Sequence, residues 1–271
     1  MKLKLHISTC PNDTFMFDAL LHGRIDTGGL EFEPYLADIE DLNSLALLGE
    51  ADITKCSYAI LPRIIEEYQV LNSGSALGRG NGPLLVSRLP VSKRDLRGLT
   101  VAIPGELTTA NLLLGSLFPD IGEKREMLFS DIIPAVAEGK ADAGVLIHEG
   151  RFVYRRHGLS LVADLGLEWE KRYGLPLPLG AIAVKRDLSG AWKQRIDEVL
   201  RRSVEYAMDH PEASRDFIKH HAHELDEQVI RQHIALFVNP FSVDLGAEGK
   251  EAVVRLLENR LPEERQTDLF V

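Results

Sequence analysis

The sequence predicts an α/β protein of two lobes, each built on a mostly parallel sheet. Three observations carry this prediction. Predicted strands and helices alternate along much of the 271-residue chain. A helix–glycine–strand unit occurs twice, and two stretches rich in Gly and Pro each precede an apolar strand. A chain of this length can bury two cores of ordinary size.

The duplicated unit spans residues 45–53 and 135–143, and each copy ends in the pattern Gly-x-Ala-Asp followed by an apolar strand. Gly49 and Gly139 are each expected to end their helix in the left-handed conformation. A chance match of two such short strings is the alternative. If the repeat is structural, ligand-binding residues should follow the carboxyl ends of its strands.

The Gly- and Pro-rich stretches, residues 74–83 and 174–180, mark the expected crossings between lobes. We therefore predict a discontinuous first lobe and a continuous second lobe, with these boundaries: 1–88 plus 186–271 for the first, and 89–185 for the second. The C-terminal third has the apolar spacing of surface helices that pack on a sheet. Its last residues, from Pro262 onward, are expected to fray.

Composition and charge argue against several classes of function. A formal charge of −10 opposes binding to nucleic acids and to anionic membrane surfaces. The sequence contains no apolar run of eighteen residues and begins without the apolar segment of a secretory signal, so we expect a cytoplasmic protein. Its two cysteines, Cys10 and Cys56, should be free thiols in a reducing compartment.

Polar residues follow the first predicted strand. Asn12, Asp13 and Thr14 are all common N-cap residues, so a helix is expected to begin among them, and Asn12 is a candidate ligand contact.

Lys55, Cys56 and Ser57 end the first repeat's strand and offer an ammonium, a thiol and a hydroxyl to a polar ligand. Cys56 next to Lys55 has the setting of an activated nucleophile, but no third, orienting group is identifiable. We interpret the cysteine as lining.

A second helix start follows the predicted strand at 101–103. Thr108 is expected to cap this helix, and the backbone N–H groups of Thr109 and Ala110 to form a site for a carboxylate or phosphate. The alternative is that Thr108 only caps its helix.

His148, after the second repeat's strand, is the candidate general base. Its imidazole should project toward the opposite lobe, and imidazole titrates near neutral pH. The alternative is a structural histidine.

Three other motifs do not support a functional site. His220, His221 and His223 suggest a metal site, but neighbouring residues of a helix face different directions, so a solvated helix face is preferred. The glycine-rich residues 78–82 precede a strand instead of following one, which argues against a dinucleotide site. The sequence lacks the Gly-x-Ser-x-Gly motif of serine hydrolases.

Five segments together resemble the 1,4-dihydroxy-6-naphthoate synthase family: 8–15, 54–58, 76–80, 147–152 and 174–180. The resemblance spans nearly the whole chain. Thr9 and Cys56 depart from it, since the family usually has Pro at the first position and often an apolar residue at the second.

The resemblance implies a two-lobed periplasmic-binding-protein-like fold of type 2 with a central cleft. It also implies a lyase of the futalosine route to menaquinone that cleaves a carbon–carbon bond of cyclic dehypoxanthine futalosine without a metal or organic cofactor. His148 would accept a proton, and residues 55–57 together with Thr109 and Ala110 would contact the substrate.

Two other functions stay open at this stage, a non-catalytic solute-binding protein of the same fold and the chorismate dehydratase of the same pathway. The apparent lack of an export signal argues against the first. The segments 11–14 and 147–149 favour the synthase over the second. The expected partner is a small anionic molecule, and the sequence carries no signal for a particular oligomeric state.

Overall fold

The computed structural model describes residues 1–93, 95–222 and 226–271. They divide into two units, one formed by Met1–Gly78 with Pro178–Val271 and the other by Arg79–Leu177. The chain therefore passes between the units after residues 78 and 177, ten and eight residues before the predicted crossings after residues 88 and 185. The reason is strand pairing, because strand Leu84–Ser87 belongs to the second sheet and strand Leu177–Lys185 to the first.

Eleven strands are present among the described residues. They are β1 (Lys2–Ser8), β2 (Glu31–Ala37), β3 (Ile53–Ser57), β4 (Tyr68–Val70), β5 (Ala76–Gly78), β6 (Leu84–Ser87), β7 (Val101–Ile103), β8 (Lys124–Glu126), β9 (Ala143–Leu146), β10 (Ser160–Asp164) and β11 (Leu177–Lys185).

The described α-helices alternate with these strands and then fill the C-terminal part of the chain. They are α1 (Pro11–Leu21), α2 (Ile39–Leu47), α3 (Leu61–Ile64), α4 (Thr109–Leu117), α5 (Phe129–Ala137), α6 (Gly150–Val153), α7 (Leu165–Tyr173), α8 (Gly190–Asp209), α9 (Arg215–His221), α10 (Glu227–Phe237), α11 (Pro240–Val243), α12 (Gly246–Leu256) and α13 (Glu263–Gln266). None of these helices combines the length and the apolar character needed to cross a lipid bilayer.

Both sheets are mixed, so the prediction of mostly parallel sheets was wrong. In the first, with order β2-β1-β3-β11-β4 and β5 also on β11, β1 runs parallel to β2 and β3, whereas β11 runs antiparallel to β3 and β4. In the second, with order β10-β6-β9-β7-β8, β7 is parallel to β8 and β9, whereas β6 is antiparallel to β9 and β10. Consecutive parallel strands are joined by a crossover connection that stays with one sheet. Strands β6 and β11 instead come at or shortly after the point where the chain passes from one unit to the other, and these are the two strands that run antiparallel to their neighbours.

The duplicated unit is a structural repeat. Gly49 and Gly139 follow α2 and α5 with φ angles of 67° and 76°, in the predicted left-handed conformation. In each copy the Asp side chain then accepts a hydrogen bond from a backbone N–H of the neighbouring strand or of the residue before it. Asp52 accepts from Lys4 in β1 at 2.7 Å, and Asp142 from Thr100, just before β7, at 2.8 Å. The same motif thus fixes how β3 and β9 enter their sheets.

Helix α1 is buried from its first residue, Pro11, through Leu20. Its apolar side chains join a core with residues of β1 and of α8, and it also packs against α9 and α10. The prediction that the C-terminal helices act as scaffold is confirmed by these contacts. Polar residues in the first turn of α1 must consequently find partners inside the protein, because water does not reach them.

The C-terminal segment does not fray as expected. Val70 of β4 donates its N–H to the carbonyl of Leu269 at 2.9 Å, and the N–H of Val271 donates to the carbonyl of Val70 at 3.0 Å. Leu269 is fully buried. The last three residues are apolar, and the burial of Leu269 together with these backbone hydrogen bonds holds the end of the chain on the sheet.

The left-handed glycines predict a difference between two Gly→Ala variants. Gly139→Ala should lower the free energy of unfolding by about 1–2 kcal/mol, because a residue with a Cβ is strained in this conformation. Gly190→Ala is the matched control, since a Cβ at this first position of α8 would meet no atom within 4 Å. Urea denaturation of both variants measures the difference, and equal stabilities would contradict the assignment.

Candidate functional site

Helix α1 begins one residue earlier than any of the predicted caps. Cys10 is the N-cap residue, with φ −64° and ψ 148°, and Pro11 is the first helical residue. Pro is well suited to this position because its fixed φ is helical and it has no N–H to leave unpaired. The candidate caps Asn12, Asp13 and Thr14 were therefore wrong as caps, and they lie within the first turn instead.

The Asp13 carboxylate is the centre of a buried hydrogen-bond network. Its Oδ2 accepts from the hydroxyl of Ser8 at 2.7 Å and from the backbone N–H of Ser8 at 3.2 Å. Its Oδ1 accepts from Lys55 Nζ at 2.7 Å and from Asn12 Nδ2 at 2.8 Å. The residue is 0% exposed. Four donors thus surround a carboxylate, near the positive end of α1, that water does not reach.

Lys55 reaches Asp13 from the adjacent strand β3. The pair is a buried salt bridge, and the lysine residue is 5% exposed. The lysine stem passes over Gly180 of β11, where a Cβ would lie 2.9 Å from Lys55 Cε. Gly180 is needed at this point because it lets the stem pass. The ammonium that was predicted to be offered to a polar ligand is thus paired with a buried carboxylate.

The side chain of Asn12 joins this network to helix α10. Its Nδ2 donates to Asp13, and its Oδ1 lies 3.0 Å from Nε2 of His233. Both residues are buried. The sequence-predicted candidates Asn12 and Lys55 are thereby brought together through Asp13.

Ser57 is held by a reciprocal pair of hydrogen bonds with Asn43 of α2. The Ser57 N–H donates to Asn43 Oδ1 at 2.8 Å, and Asn43 Nδ2 donates to the Ser57 hydroxyl at 3.0 Å. Both residues are buried. The end of β3 is therefore rigidly attached to α2, and the hydroxyl direction is set by Asn43.

Cys56 faces the other side of the sheet from its two neighbours, since side chains alternate along a strand. It is 0% exposed, and burial raises the pKa of its thiol to about 12. Near neutral pH the group is a protonated thiol, so it is unsuited to act as a nucleophile. This burial supports the interpretation that Cys56 is not a nucleophile. It does not agree with the prediction that Cys56 lines a ligand site.

In the other unit, Thr108 caps α4 as predicted. Its hydroxyl accepts from the N–H of Asn111 at 3.2 Å and donates to the carbonyl of Gly105 at 2.8 Å. Thr109 and Ala110 form the first turn, and all three residues are largely buried. The N-terminus of this nine-residue helix is well ordered by these contacts and carries a partial positive charge.

His148 lies two residues beyond β9, and its φ of 51° is in the left-handed region. A residue with a Cβ rarely adopts this conformation, and such strain is concentrated at functional positions. The imidazole contacts Phe129 edge-on, with ring centroids 5.0 Å apart, and the residue is half-buried. The backbone and the aromatic contact together set where the ring lies.

The histidines near the end of α9 pack with aromatic rings. His221 contacts Phe217 and His220 through edge-on ring pairs. Among the described residues no group of three or more potential metal ligands converges. His223, the third histidine of the rejected metal site, lies outside the described residues.

Sequence reasoning missed the centre of the network in the first unit. Asp13 was considered only as a helix cap, and Ser8 and His233 were not considered. A usable signal existed for Asp13 and Lys55, since both follow or end neighbouring parallel strands. His233 lies 221 residues from Asn12 in sequence, and no local pattern links them.

Comparison with solved structures identifies the fold. The crystal structure of a protein from Archaeoglobus fulgidus superposes with a TM-score of 0.90 at 35% identity, covering 95% of this chain and 96% of that one. A Candida albicans protein described as having the generic periplasmic binding protein fold gives a TM-score of 0.69 at 12% identity, covering 100% and 96%. The predicted periplasmic-binding-protein-like α/β fold is confirmed.

The sequence itself matches the model of the menaquinone biosynthesis family over residues 3–260. Two relatives named 1,4-dihydroxy-6-naphtoate synthase, from Thermus thermophilus and Streptomyces coelicolor, are 50% and 46% identical to it. Each alignment covers 94% of this chain, and 92% and 91% of the respective relatives. The chain belongs to the menaquinone biosynthesis family, and the resemblance inferred from its motifs is confirmed.

The buried salt bridge predicts strong energetic coupling between Asp13 and Lys55. Lys55→Met should lower the free energy of unfolding by about 3–5 kcal/mol, because it leaves a buried carboxylate without its cation. The double variant Asp13→Asn/Lys55→Met should lose less than the sum of the two single variants. Denaturant unfolding of the four proteins provides the measurement.

Arg97→Ala is the control for this cycle. It removes a salt bridge to Asp120 whose side chains are both largely exposed, and stability should hardly change. Additive effects of the substitutions at residues 13 and 55 would show that the pair is not coupled.

Proposed function

We propose that the protein catalyses the 1,4-dihydroxy-6-naphthoate synthase reaction, a lyase step that converts cyclic dehypoxanthine futalosine to 1,4-dihydroxy-6-naphthoate in menaquinone biosynthesis. The observation that carries the proposal is the 50% and 46% identity, along 94% of the chain, to two proteins of that name. Family membership over residues 3–260 supports the same pathway. A cytoplasmic location follows from the proposed biosynthetic role.

His148 is proposed as the general base. It would take the proton of a sugar hydroxyl, so that the oxygen can form a carbonyl while the adjacent carbon–carbon bond breaks and its electron pair passes to the carbocycle. The left-handed backbone at His148 and the ring contact with Phe129 support this role, because a base must be held in one orientation. Its partial exposure supports it too, since the imidazole has to release the proton afterwards.

The start of α4 is proposed to bind the substrate carboxylate. The support is the ordered first turn, in which Thr108 caps the helix and Thr109 and Ala110 contribute backbone N–H groups at its positive end. An anion is stabilised at such a position without a cationic side chain.

Lys55, Ser57 and Asn12 are proposed as further polar contacts of the substrate. Among the described residues Asp13 is the single hydrogen-bond partner of the Lys55 ammonium, which has three N–H donors. A cation with spare donors suits an anionic molecule. Cys56 is left out of this group because of its burial on the other face of the sheet.

The proposed activity predicts the product of a simple assay. Purified protein incubated with cyclic dehypoxanthine futalosine should release 1,4-dihydroxy-6-naphthoate, detected by chromatography. Chorismate is the control substrate and should be unchanged. Dehydration of chorismate would indicate the sister enzyme of the pathway, and binding without turnover would indicate a solute-binding protein; the comparisons favour neither.

His148→Ala should lower kcat by about 10²–10⁴-fold, the usual contribution of a general base, while substrate binding measured by calorimetry persists. His157→Ala is the matched control, because His157 is an exposed histidine of the same unit and should be dispensable. Turnover of His148→Ala at the wild-type rate would refute the role of His148 and leave the proposed reaction itself standing.

A further inference from the structure

We infer that His233 is a positioning residue for the proposed reaction, acting through Asn12 and Asp13 on the Lys55 ammonium. The inference rests on the proposed function, because Asn12 and Lys55 are proposed substrate contacts. His233 lies in α10, whereas the other described members of the network lie within the first 55 residues.

The direction of each hydrogen bond from Lys55 through Asp13 and Asn12 to His233 can be assigned. An ammonium and an amide NH₂ only donate, and Asp13 Oδ1 accepts from both Lys55 Nζ and Asn12 Nδ2. The opposite orientation of the Asn12 amide would place two oxygens against each other. Asn12 Oδ1 therefore faces Nε2 of His233 and accepts from it, so Nε2 carries a proton.

Burial makes this direction consequential. His233 and Asp13 are each 0% exposed, and Asn12 and Lys55 are nearly as buried. Where water cannot replace a lost partner, an unpaired polar group costs its full desolvation energy. The His233 N–H is thus what holds the Asn12 amide in the orientation that donates to Asp13.

The position of His233 is itself well determined. Helix α10 is capped by Asp226, whose side chain accepts from the N–H of Gln228. Its residues Val229, Ile230 and Phe237 are buried. The Phe237 ring lies 4.6 Å from the imidazole, centroid to centroid. The ring of His233 is therefore fixed by a packed helix and not by a loop.

Loss of the His233 N–H should release the Asn12 amide. Asp13 would then have one donor fewer, and the Lys55 ammonium would be drawn further onto the carboxylate and away from the substrate. Binding should weaken, whereas the proton transfer assigned to His148 should be unaffected. The expected signature is a rise in KM with little change in kcat.

Two variants of His233 separate this role from a purely structural one. His233→Leu replaces the imidazole with a side chain of moderate size that has no hydrogen-bond donor. It should raise KM about tenfold, because the buried Asn12 Oδ1 is left without its donor. His233→Gln can place an amide N–H near the position of Nε2 and should restore KM toward the wild-type value. Steady-state kinetics with cyclic dehypoxanthine futalosine provide the measurement.

Ser203→Ala is the matched control. Ser203 is fully buried and its hydroxyl donates to the carbonyl of Met16 in α1, outside the network. The hydroxyl also accepts from the N–H of Leu20 in α1. The variant therefore removes buried hydrogen bonds to the helix that carries Asn12 and Asp13, so it should lower stability without changing KM. Equal KM values for His233→Leu and the wild type would overturn the inference, and so would a KM of His233→Gln or Ser203→Ala as high as that of His233→Leu.

A second measurement does not depend on turnover. Nitrogen-15 NMR of protein labelled at histidine reports which ring nitrogen carries the proton. The inferred hydrogen bond to Asn12 requires a proton on Nε2 of His233. The His233→Gln variant, which lacks the signal of this residue, identifies it in the spectrum. A ring protonated only at Nδ1 would overturn the inference even in a fully active enzyme. Absence of product from the wild-type protein would instead refute the proposed function, while the NMR result would still decide the direction of the chain.

Discussion

The buried salt bridge between Asp13 and Lys55 constrains the structure around it. Removing two charges from water costs several kcal/mol per ion, so the buried carboxylate needs hydrogen-bond donors besides the lysine. Ser8 and Asn12 meet that requirement at the carboxylate. Gly180 meets a steric one, since it leaves room for the lysine stem.

The same pair explains why α1 starts where it does. A helix whose first residue is Pro11 places Asp13 in its first turn, near the positive helix end and beside strand β3. A start at Asn12, Asp13 or Thr14 would place the carboxylate outside or at the edge of the helix. Capping preference favoured those residues, but the contacts of Asp13 show that tertiary partners and the fixed φ of Pro11 decided the start.

Features governed by local physics could be predicted from the sequence. The left-handed glycines, the Thr108 cap and the two helix–strand repeats each depend on residues within a few positions of one another, and each is present. The apolar spacing of the C-terminal helices likewise identified the scaffold. Their prediction required only chain geometry and residue type.

Features governed by distant partners could not be predicted in this way. The orientation of β6 and β11 depends on where the chain leaves one sheet and enters the other. The burial of Lys55 depends on α1, and the partner of Asn12 lies on α10. In each case the deciding contact joins residues far apart in sequence, so composition and periodicity carry no record of it.

The two strand ends of the repeat differ in a way that matches their proposed tasks. Lys55 lies inside β3, and its side chain is held by the Asp13 carboxylate in a buried environment, which suits the proposed role of a rigidly placed polar contact. His148 lies beyond β9 in a strained conformation and is half-buried. A general base has to exchange its proton with solvent between turnovers. An imidazole buried as deeply as the Lys55 side chain could not exchange its proton in this way. The repeat thus places the lysine proposed as a substrate contact in a buried environment and the histidine proposed as the base in a half-buried one. What differs between the two copies is the environment around the strand end and not the strand itself.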